Sequence, residues 1–263
     1  MAAPHTKPAA PSLPRGKIEE LDELTIRFAG DVSDGMQLVG AQFTSASAIH
    51  GNAVCTLPDQ PAEIRAHPGT LAGVSGFQVH VSKRPIHTPG DRLNALVTMN
   101  PAALKANLGD LEAGGLLIVN ADAFTAEEWV KAGYAADPLQ DSALEGYRVV
   151  SVPMSQCNRE AVTRVNLSPR ESERCKNFFA LGLVYWLFER PLEPTLRWIR
   201  DTYAKNPAMI EANTRTLNAG FHYAQTCERL PVRYRIAKAT VPPGKYRKIT
   251  GTEALALGLL TAA

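Results

Sequence analysis

The chain has 263 residues, of which 45% are hydrophobic and 21% are charged, and its formal net charge is +2. This composition is ordinary for a globular protein with one large or two small domains, and it argues against a strongly basic nucleic-acid-binding protein. No apolar run reaches the roughly 18 residues of a membrane-spanning helix, and the N-terminus lacks the apolar core of a secretory signal. We therefore expect a cytoplasmic protein with neither a membrane nor a nucleic acid as its partner.

The N-terminal segment is rich in alanine and proline, with four prolines among the first 14 residues. Such a segment lacks the side chains that could bury a core, so residues 1–23 are predicted to form a disordered arm. Ordered structure is expected to begin near Leu24.

The first predicted unit is a strand over residues 25–29, a polar loop from Gly30 to Gly35, and a helix that begins at Met36. Apolar or small residues recur after Met36 at helical spacing. A strand that leads into a helix through such a loop is typical of the opening unit of a doubly wound fold. Folds of this kind bind anions at this edge of the sheet, where the helix begins.

The loop has the Gly-to-Gly spacing of a P-loop, but Met36 stands where a P-loop has its lysine, and no G-x-G-x-x-G is present. Neither nucleotide hydrolysis nor the dinucleotide fingerprint is therefore indicated. The candidate ligand-contacting residues are Gly30, Asp31, Ser33, Asp34 and Gly35. The alternative is a plain turn in which Ser33 or Asp34 caps the helix.

Strands and helices then alternate along the chain. Further strands are predicted at residues 52–57, 77–82, 94–99, 116–119 and 147–152. The alternation in 77–82 predicts a half-buried strand, and the continuous apolar run 116–119 predicts a central parallel strand. Helices are predicted after Asn100, where Pro101 follows an N-cap, and after Thr125. The order predicts an α/β fold with a doubly wound, mostly parallel sheet in Rossmann-like layers.

Helix follows helix from about residue 157, so the α/β domain over residues 24–228 is expected to carry a C-terminal helical extension over 157–228. A capping box at residues 168–171 opens a helix that is apolar on nearly every side, which predicts an internal helix. Residues 229–250 are predicted to be a linker. Residues 251–263 are predicted to begin a new apolar helix.

Several kinds of reactive site are missing from the sequence. The four cysteines are widely separated and form no C-x-x-C pair, and the six histidines show no H-x-x-x-H spacing. No G-x-S-x-G is present, so a hydrolase nucleophile elbow is not indicated. The residues alone therefore predict no metal site and name no reaction.

A family resemblance rests on five segments: residues 27–37, 57–65, 86–91, 99–104 and 174–182. They resemble the alpha subunit of 2-oxoacid:ferredoxin oxidoreductases, most closely the 2-oxoglutarate type, and the similarity covers nearly all of residues 24–263. In that family this stretch is the gamma domain. Residues 250–258 resemble the opening of the thiamine-pyrimidine-binding domain that follows it.

The resemblance implies a part in the oxidative decarboxylation of a 2-oxoacid to an acyl-CoA, with ferredoxin reduced. It places thiamine diphosphate, magnesium and a [4Fe–4S] cluster on a beta subunit, so no cofactor is expected on this chain alone. The implied partners are that beta subunit, ferredoxin indirectly, and coenzyme A. Coenzyme A is expected to contact the loop from Gly30 to Gly35, with Arg65 adding a charge-assisted contact.

The chain ends where the resemblance places the start of the pyrimidine-binding domain, in residues 251–263. No catalytic residue is therefore assigned to it, and by itself it is expected to be inactive. One alternative stays open, namely a stand-alone anion- or nucleotide-binding α/β module without redox activity. A nicotinamide-dependent dehydrogenase is disfavoured by the missing G-x-G-x-x-G.

Overall fold

A computed structural model describes residues 17–63, 66–228, 230, 232–242, 244–247 and 249–262. The strands are β1 (Lys17–Leu21), β2 (Glu23–Asp31), β3 (Ala53–Asp59), β4 (Val74–Ser82), β5 (Leu93–Thr98), β6 (Leu111–Asn120), β7 (Arg148–Val152) and β8 (Val232–Ile236). The α-helices are α1 (Met36–His50), α2 (Pro101–Asn107), α3 (Ala126–Lys131), α4 (Met154–Val162), α5 (Pro169–Arg174), α6 (Lys176–Leu187), α7 (Glu193–Thr202), α8 (Pro207–Thr226) and α9 (Gly251–Ala262). Residues 1–16 of the predicted arm lie outside the described residues.

Six strands form the central sheet, in the order β3-β4-β2-β5-β6-β7. The pairs β2-β5, β5-β6 and β6-β7 are parallel, and β4 is antiparallel to both of its neighbours. Strand β3 therefore runs in the same direction as β2, so that five of these six strands are aligned and β4 is reversed. The predicted α/β fold with a mostly parallel sheet and a helical extension is confirmed.

Helices cover both faces of this sheet. On one face, Phe28 of β2 packs against Phe43 of α1 with their ring centroids 5.7 Å apart, and Tyr185 of α6 joins the same core. On the other face, Leu96 of β5 packs in a second core with Leu104 of α2. The chain therefore changes face between the neighbouring strands β2 and β5, and open α/β sheets bind ligands at such a switch point.

Strand β4 is buried on both faces, so its prediction as a half-buried strand is wrong. Its polar side chains are covered by the following loop rather than by water. Gln78 Nε2 donates to the carbonyl oxygens of Pro89 and Gly90 at 2.7 and 2.6 Å, and His80 Nδ1 lies 2.9 Å from a third carbonyl of that loop. Alternating polarity here marks buried side chains whose hydrogen bonds are satisfied within the protein.

The predicted capping box at Ser168 is present and opens α5, but the helix is divided at Cys175 and continues as α6. Every residue of α6 after Lys176 is buried. The prediction that this apolar helix is internal is therefore confirmed. It packs between α1 and α8.

Helices α6 and α8 cross at two glycines. A Cβ atom at Gly182 would overlap the carbonyl oxygen of Leu217, and a Cβ atom at Gly220 would overlap the carbonyl oxygen of Phe179. Each helix therefore presents bare backbone to the other at the crossing. This close approach requires glycine at both positions.

Two stretches that were predicted to lack regular structure contain strands. Strand β1 falls in the predicted arm and β8 in the predicted linker, and they pair in parallel with Lys17 beside Val232. The predictions are wrong at these positions because β8 packs on the core. Tyr234 and Ile236 are buried, and the Tyr234 ring stacks on Phe188 with centroids 5.6 Å apart.

The predicted C-terminal helix is present as α9, and its side chains are exposed along its length. Leu255, Leu257, Leu259 and Leu260 are 47–75% exposed. Within the described part of the chain, none of the helices combines the length and apolarity that crossing a membrane requires. The interpretation of α9 as the first helix of a further domain stays a prediction.

The α6–α8 crossing predicts a large effect of a single methyl group. We expect Gly182→Ala to lower the free energy of unfolding by about 3 kcal/mol, because the added Cβ forces two backbones apart. The measurement is urea denaturation of the whole chain. Gly146→Ala is the matched control, since no atom lies within 4 Å of its added Cβ, and its effect should stay within about 0.5 kcal/mol. Equal effects of the two substitutions would contradict the packing argument.

Candidate functional site

The candidate site is the loop between β2 and α1, at the switch point of the sheet. Strand β2 ends at Asp31, a single 3-10 turn covers Val32–Asp34, and α1 begins at Met36 after Gly35. The predicted order of strand, polar loop and helix is therefore confirmed. The loop lies beside Asn100, which follows the last residue of β5 by two positions and caps α2.

Asp34 is a buried carboxylate that joins three parts of the fold. Its oxygens accept from the Asp31 backbone N–H at 2.8 Å, from Asn100 Nδ2 at 3.3 Å, and from Lys176 Nζ at 2.9 Å. The residue is 7% exposed. The loop is thereby tied to the end of β5 and to the first residue of α6.

Lys176 supplies the positive charge that balances this carboxylate. Its ammonium group also lies 2.6 Å from Glu173 Oε1, and the side chain is 14% exposed. Burial by itself would lower the pKa of Lys176, but the charge of Asp34 and the hydrogen bond that Lys176 donates to Glu173 outweigh it and raise the pKa. Lys176 is therefore a permanent cation beneath the loop.

Both glycines of the loop are required by their neighbours. A Cβ atom at Gly30 would lie 2.7 Å from Asp34 Oδ2, and one at Gly35 would overlap the Asn177 amide. Gly35 also has φ = +71°, a conformation that side chains disfavour. It occupies the N-cap position of α1 without any side-chain cap, so the alternative in which Ser33 or Asp34 caps this helix is wrong.

Asp31 carries a carboxyl group whose pKa is raised by its surroundings. Its carboxylate accepts from the Gly69 backbone N–H, with oxygens at 3.1 and 3.3 Å. Burial, followed by the nearby charge of Asp34, raises the pKa of Asp31 to about 6, although the Gly69 hydrogen bond acts in the opposite direction. This carboxyl group therefore exchanges its proton close to neutral pH.

Ser33 is exposed at the tip of the loop and lines two cavities, one on each side. The first, here called the acidic cavity, has a volume of about 500 Å³ and lies over the ends of β2, β5 and β6. Its lining includes Asp31, Asn120, Asp122, Glu128, Arg159 and Lys176. The second, here called the α8 cavity, has a volume of about 430 Å³. Its lining includes Val32, Arg174, Asn177, Tyr203, Asn206 and Asn213.

The structure brings Gly30, Asp31, Ser33, Asp34 and Gly35 together in one loop, as their adjacency requires. The sixth candidate, Arg65, lies outside the described residues. Of the five, Ser33 presents an exposed side chain and Asp34 a buried one. The loop can therefore offer a hydroxyl group, the Asp31 carboxyl group and backbone N–H groups to a ligand.

Three supporting residues were missed by sequence reasoning. Asn100 was predicted as the cap of α2, and its Oδ1 does accept from the Ala103 N–H at 2.8 Å, but its Nδ2 also bonds to Asp34. Lys176 and Asn177 lie in the segment 174–182, where the family resemblance implies no role for either residue. A lysine 142 positions from its partner gives no local signal in the sequence.

Metal chemistry has no support among the described residues. They contain no group of three or more His, Cys, Asp or Glu side chains that could hold a metal ion, and the four free cysteines are dispersed over the fold. These residues therefore do not fit an iron–sulfur cluster.

The chain is similar to known proteins in sequence and in fold. The family described as pyruvate ferredoxin/flavodoxin oxidoreductase matches residues 25–223. The chain is 48% identical over 244 residues to the 2-oxoglutarate oxidoreductase subunit KorA of Mycobacterium tuberculosis (strain ATCC 25618 / H37Rv). The alignment covers 93% of this chain and 37% of KorA, so the chain spans little more than a third of that relative.

Two solved structures share the fold. A 2-oxoglutarate:ferredoxin oxidoreductase from Magnetococcus marinus, with 2-oxoglutarate, coenzyme A and succinyl-CoA bound, superposes with a TM-score of 0.65 at 24% identity, over 84% of this chain and 34% of that one. The gamma subunit of a keto/oxoacid ferredoxin oxidoreductase from Geobacter sulfurreducens PCA gives 0.53 at 22% identity, over 77% of this chain and 96% of that one.

The ion pair beneath the loop predicts a strong dependence on Lys176. We expect Lys176→Met to lower the free energy of unfolding by about 3 kcal/mol, because it leaves the Asp34 carboxylate buried without a cation. In the double variant with Asp34→Asn the two losses should not add. Chemical denaturation measures both effects, and Lys205→Met, at an exposed lysine, is the control. Additive losses would contradict direct coupling of the two side chains.

The environment of Asp31 predicts a pH dependence. Its carboxyl carbon should titrate by NMR with a midpoint of about 6. Since this pKa exceeds the unfolded value of about 3.9, the folded state holds the proton more tightly, and Asp31 contributes less stability as the pH rises from about 4 to about 6. Asp31→Asn should remove that part of the pH dependence in denaturation experiments. A midpoint near 4 would show that the carboxyl group is well solvated.

Proposed function

The chain belongs to the pyruvate ferredoxin/flavodoxin oxidoreductase family, and from this premise we propose that it forms the gamma-domain portion of the alpha subunit of a 2-oxoacid:ferredoxin oxidoreductase. The proposed oxoacid is 2-oxoglutarate. The observation that carries this proposal is the 48% identity to the 2-oxoglutarate oxidoreductase subunit KorA across 93% of the chain. We further propose that the gamma-type domain comprises residues 24–228 together with β1 and β8, and that a pyrimidine-binding domain starts at 251–263.

The proposed contribution of this chain is to bind coenzyme A and to assemble with other subunits. The loop from Gly30 to Gly35 lies at the switch point of the sheet, which is where α/β folds bind ligands. Its shape is held by Asp34 and Lys176, so a ligand meets a preorganised loop. The Magnetococcus marinus relative was solved with coenzyme A bound, which supports the choice of ligand.

The reaction chemistry is proposed to belong to a beta subunit that carries thiamine diphosphate, magnesium and a [4Fe–4S] cluster. The dispersed cysteines of this chain do not suit a cluster, so we assign none of these groups to the described residues. In the complex, coenzyme A would accept the acyl group left after the oxoacid loses carbon dioxide, and ferredoxin would take the electrons. The isolated chain is proposed to turn over no oxoacid.

Ligand binding tests this proposal directly. Coenzyme A, titrated into the whole chain by calorimetry, should bind, and Ser33→Glu should weaken that binding at least tenfold because it adds a negative charge at the tip of the loop. Ser142→Glu is the matched control, since Ser142 is exposed and lines neither cavity of the loop. Stabilisation of the chain by NAD but not by coenzyme A would contradict the proposal and favour an unrelated nucleotide-binding module.

Assembly is tested separately, with the complete alpha subunit that contains this chain. Co-expression with the thiamine-binding subunit should yield a complex that reduces ferredoxin with 2-oxoglutarate and coenzyme A. The chain expressed without that subunit should show no such activity. Turnover of oxoacid by the purified chain alone would contradict the division of roles.

A further inference from the structure

Strand β3 forms an open edge of the central sheet. It stands at the end of the strand order and pairs with β4 on one side. Among the described residues, its backbone from Ala53 to Pro58 forms no hydrogen bond with any part of the chain other than β4. The N–H and C=O groups on the outer side of such a strand can pair with an extended segment of another chain.

A groove of about 950 Å³ adjoins the first residues of β3, and we call it the β3 groove. Its walls come from the carboxyl end of α1, the loop after β4 and the segment after β8. The apolar side chains that line it include Ile49, Val54, Ile86, Val241, Tyr246 and Ile249. Four of these six are 40–66% exposed. Clustered apolar exposure of this kind is typical of a surface that binds a partner.

The charge of the β3 groove is positive. None of the described residues that line it carries a carboxylate, whereas Arg247 lines it with a side chain that is 75% exposed. The stem of Lys238 lies against the glycine that ends α1, which is also a lining residue. Burial lowers the pKa of His50, and the charges of Arg190 and Lys238 lower it further. These cations favour an occupant that carries negative charge.

A further positive charge lies buried behind the groove at Arg190, which is 3% exposed. Its Nη1 donates to Oδ1 of Asn52, a lining residue, at 2.7 Å. Its Nε and Nη2 have no hydrogen-bond partner among the described residues. The adjacent carboxylate of Glu189 is engaged by Arg233 and Arg235 instead. A buried cation without a counter-charge is costly, so an acidic group brought to the groove would relieve part of that cost.

We propose that the edge of β3 and the β3 groove bind an extended segment of another protein that is rich in apolar and acidic side chains. The segment would add a strand to the sheet, place apolar side chains in the groove and bring carboxylates to the surrounding cations. A second copy of this chain suits the surface less well, because it would bring an identical set of cations.

This surface is distinct from the loop between Gly30 and Gly35. The two lie at opposite ends of α1, which has 15 residues and is therefore about 22 Å long. The inference thus concerns a partner beyond the proposed function, and it does not depend on coenzyme A as the ligand of the loop.

Two synthetic peptides, tested for binding to the whole chain by fluorescence anisotropy, probe this inference. One is a decapeptide of alternating valine and glutamate, and the other has lysine in place of glutamate. The glutamate peptide should bind at least tenfold more tightly, and its affinity should fall as salt is added. Amide hydrogen exchange of residues 53–57 should slow on binding. A glutamate peptide that is N-methylated throughout should not bind, because it has no N–H group left for pairing.

Substitutions in the groove locate the binding. Ile49→Asp and Arg247→Glu should each weaken the glutamate peptide at least tenfold, because each places a carboxylate where the peptide brings its own. Val130→Asp and Arg197→Glu are the matched controls, at exposed positions that do not line the groove. Thermal unfolding verifies that each variant is folded, and all four should bind coenzyme A as the wild-type chain does.

Three results would overturn the inference while the proposed function stands. The first is equal binding of the two peptides, or no binding of either to the wild-type chain. The second is unchanged affinity in both groove variants. The third is a wild-type dimer, measured by light scattering, that Ile49→Asp converts to a monomer, which would assign the groove to a second copy of this chain.

Discussion

The ion pair between Asp34 and Lys176 is the interaction on which the candidate site depends. It is a buried contact between a loop at the end of β2 and the first residue of α6, and Asn100 at the end of β5 completes it. A buried carboxylate must be paired, because an unpaired charge in such surroundings is expensive. Three separate parts of the chain therefore have to be in place before the loop takes its shape.

The position of α6 follows from packing rather than from charge. Its buried apolar surface lies between α1 and α8, and Gly182 and Gly220 let α6 and α8 approach at backbone distance. The helical layer is thus held close to the sheet. The N-terminus of α6 therefore lies beside the loop, where Lys176 contacts Asp34 and Asn177 lies against Gly35. Dense packing of this kind transmits position over the length of a helix, since the core has few voids in which to relax.

Much of the fold was predictable because its signals are local. The strand–loop–helix unit at Gly30, the caps at Asn100 and Ser168, and the internal character of α6 are all read from residues a few positions apart, and each is confirmed. The family resemblance of the five segments is confirmed as well. The remaining features needed long-range information. Strand β1 is ordered by pairing with β8, and the polar side chains of β4 are satisfied by a loop rather than by solvent.

The same distinction applies to the site. The loop residues were identified from their position after a strand. The loop contains two acidic residues, Asp31 and Asp34, and the cation that pairs with Asp34 is Lys176, far along the chain. Local spacing contains no information about that contact, because only the folded sheet and helices bring the two segments together.

The parallel pairing of β1 with β8 places Lys17 beside Val232, so that the chain enters and leaves the α/β domain side by side and in the same direction. Because the pairing is parallel, the entry at Lys17 and the exit after Ile236 lie at opposite ends of this five-residue ladder. A pull applied to one of these two strands along its axis would load the short ladder in shear, with all its hydrogen bonds strained together, instead of peeling them one at a time. This small two-stranded sheet is therefore suited to resist a pulling force at the border of the domain.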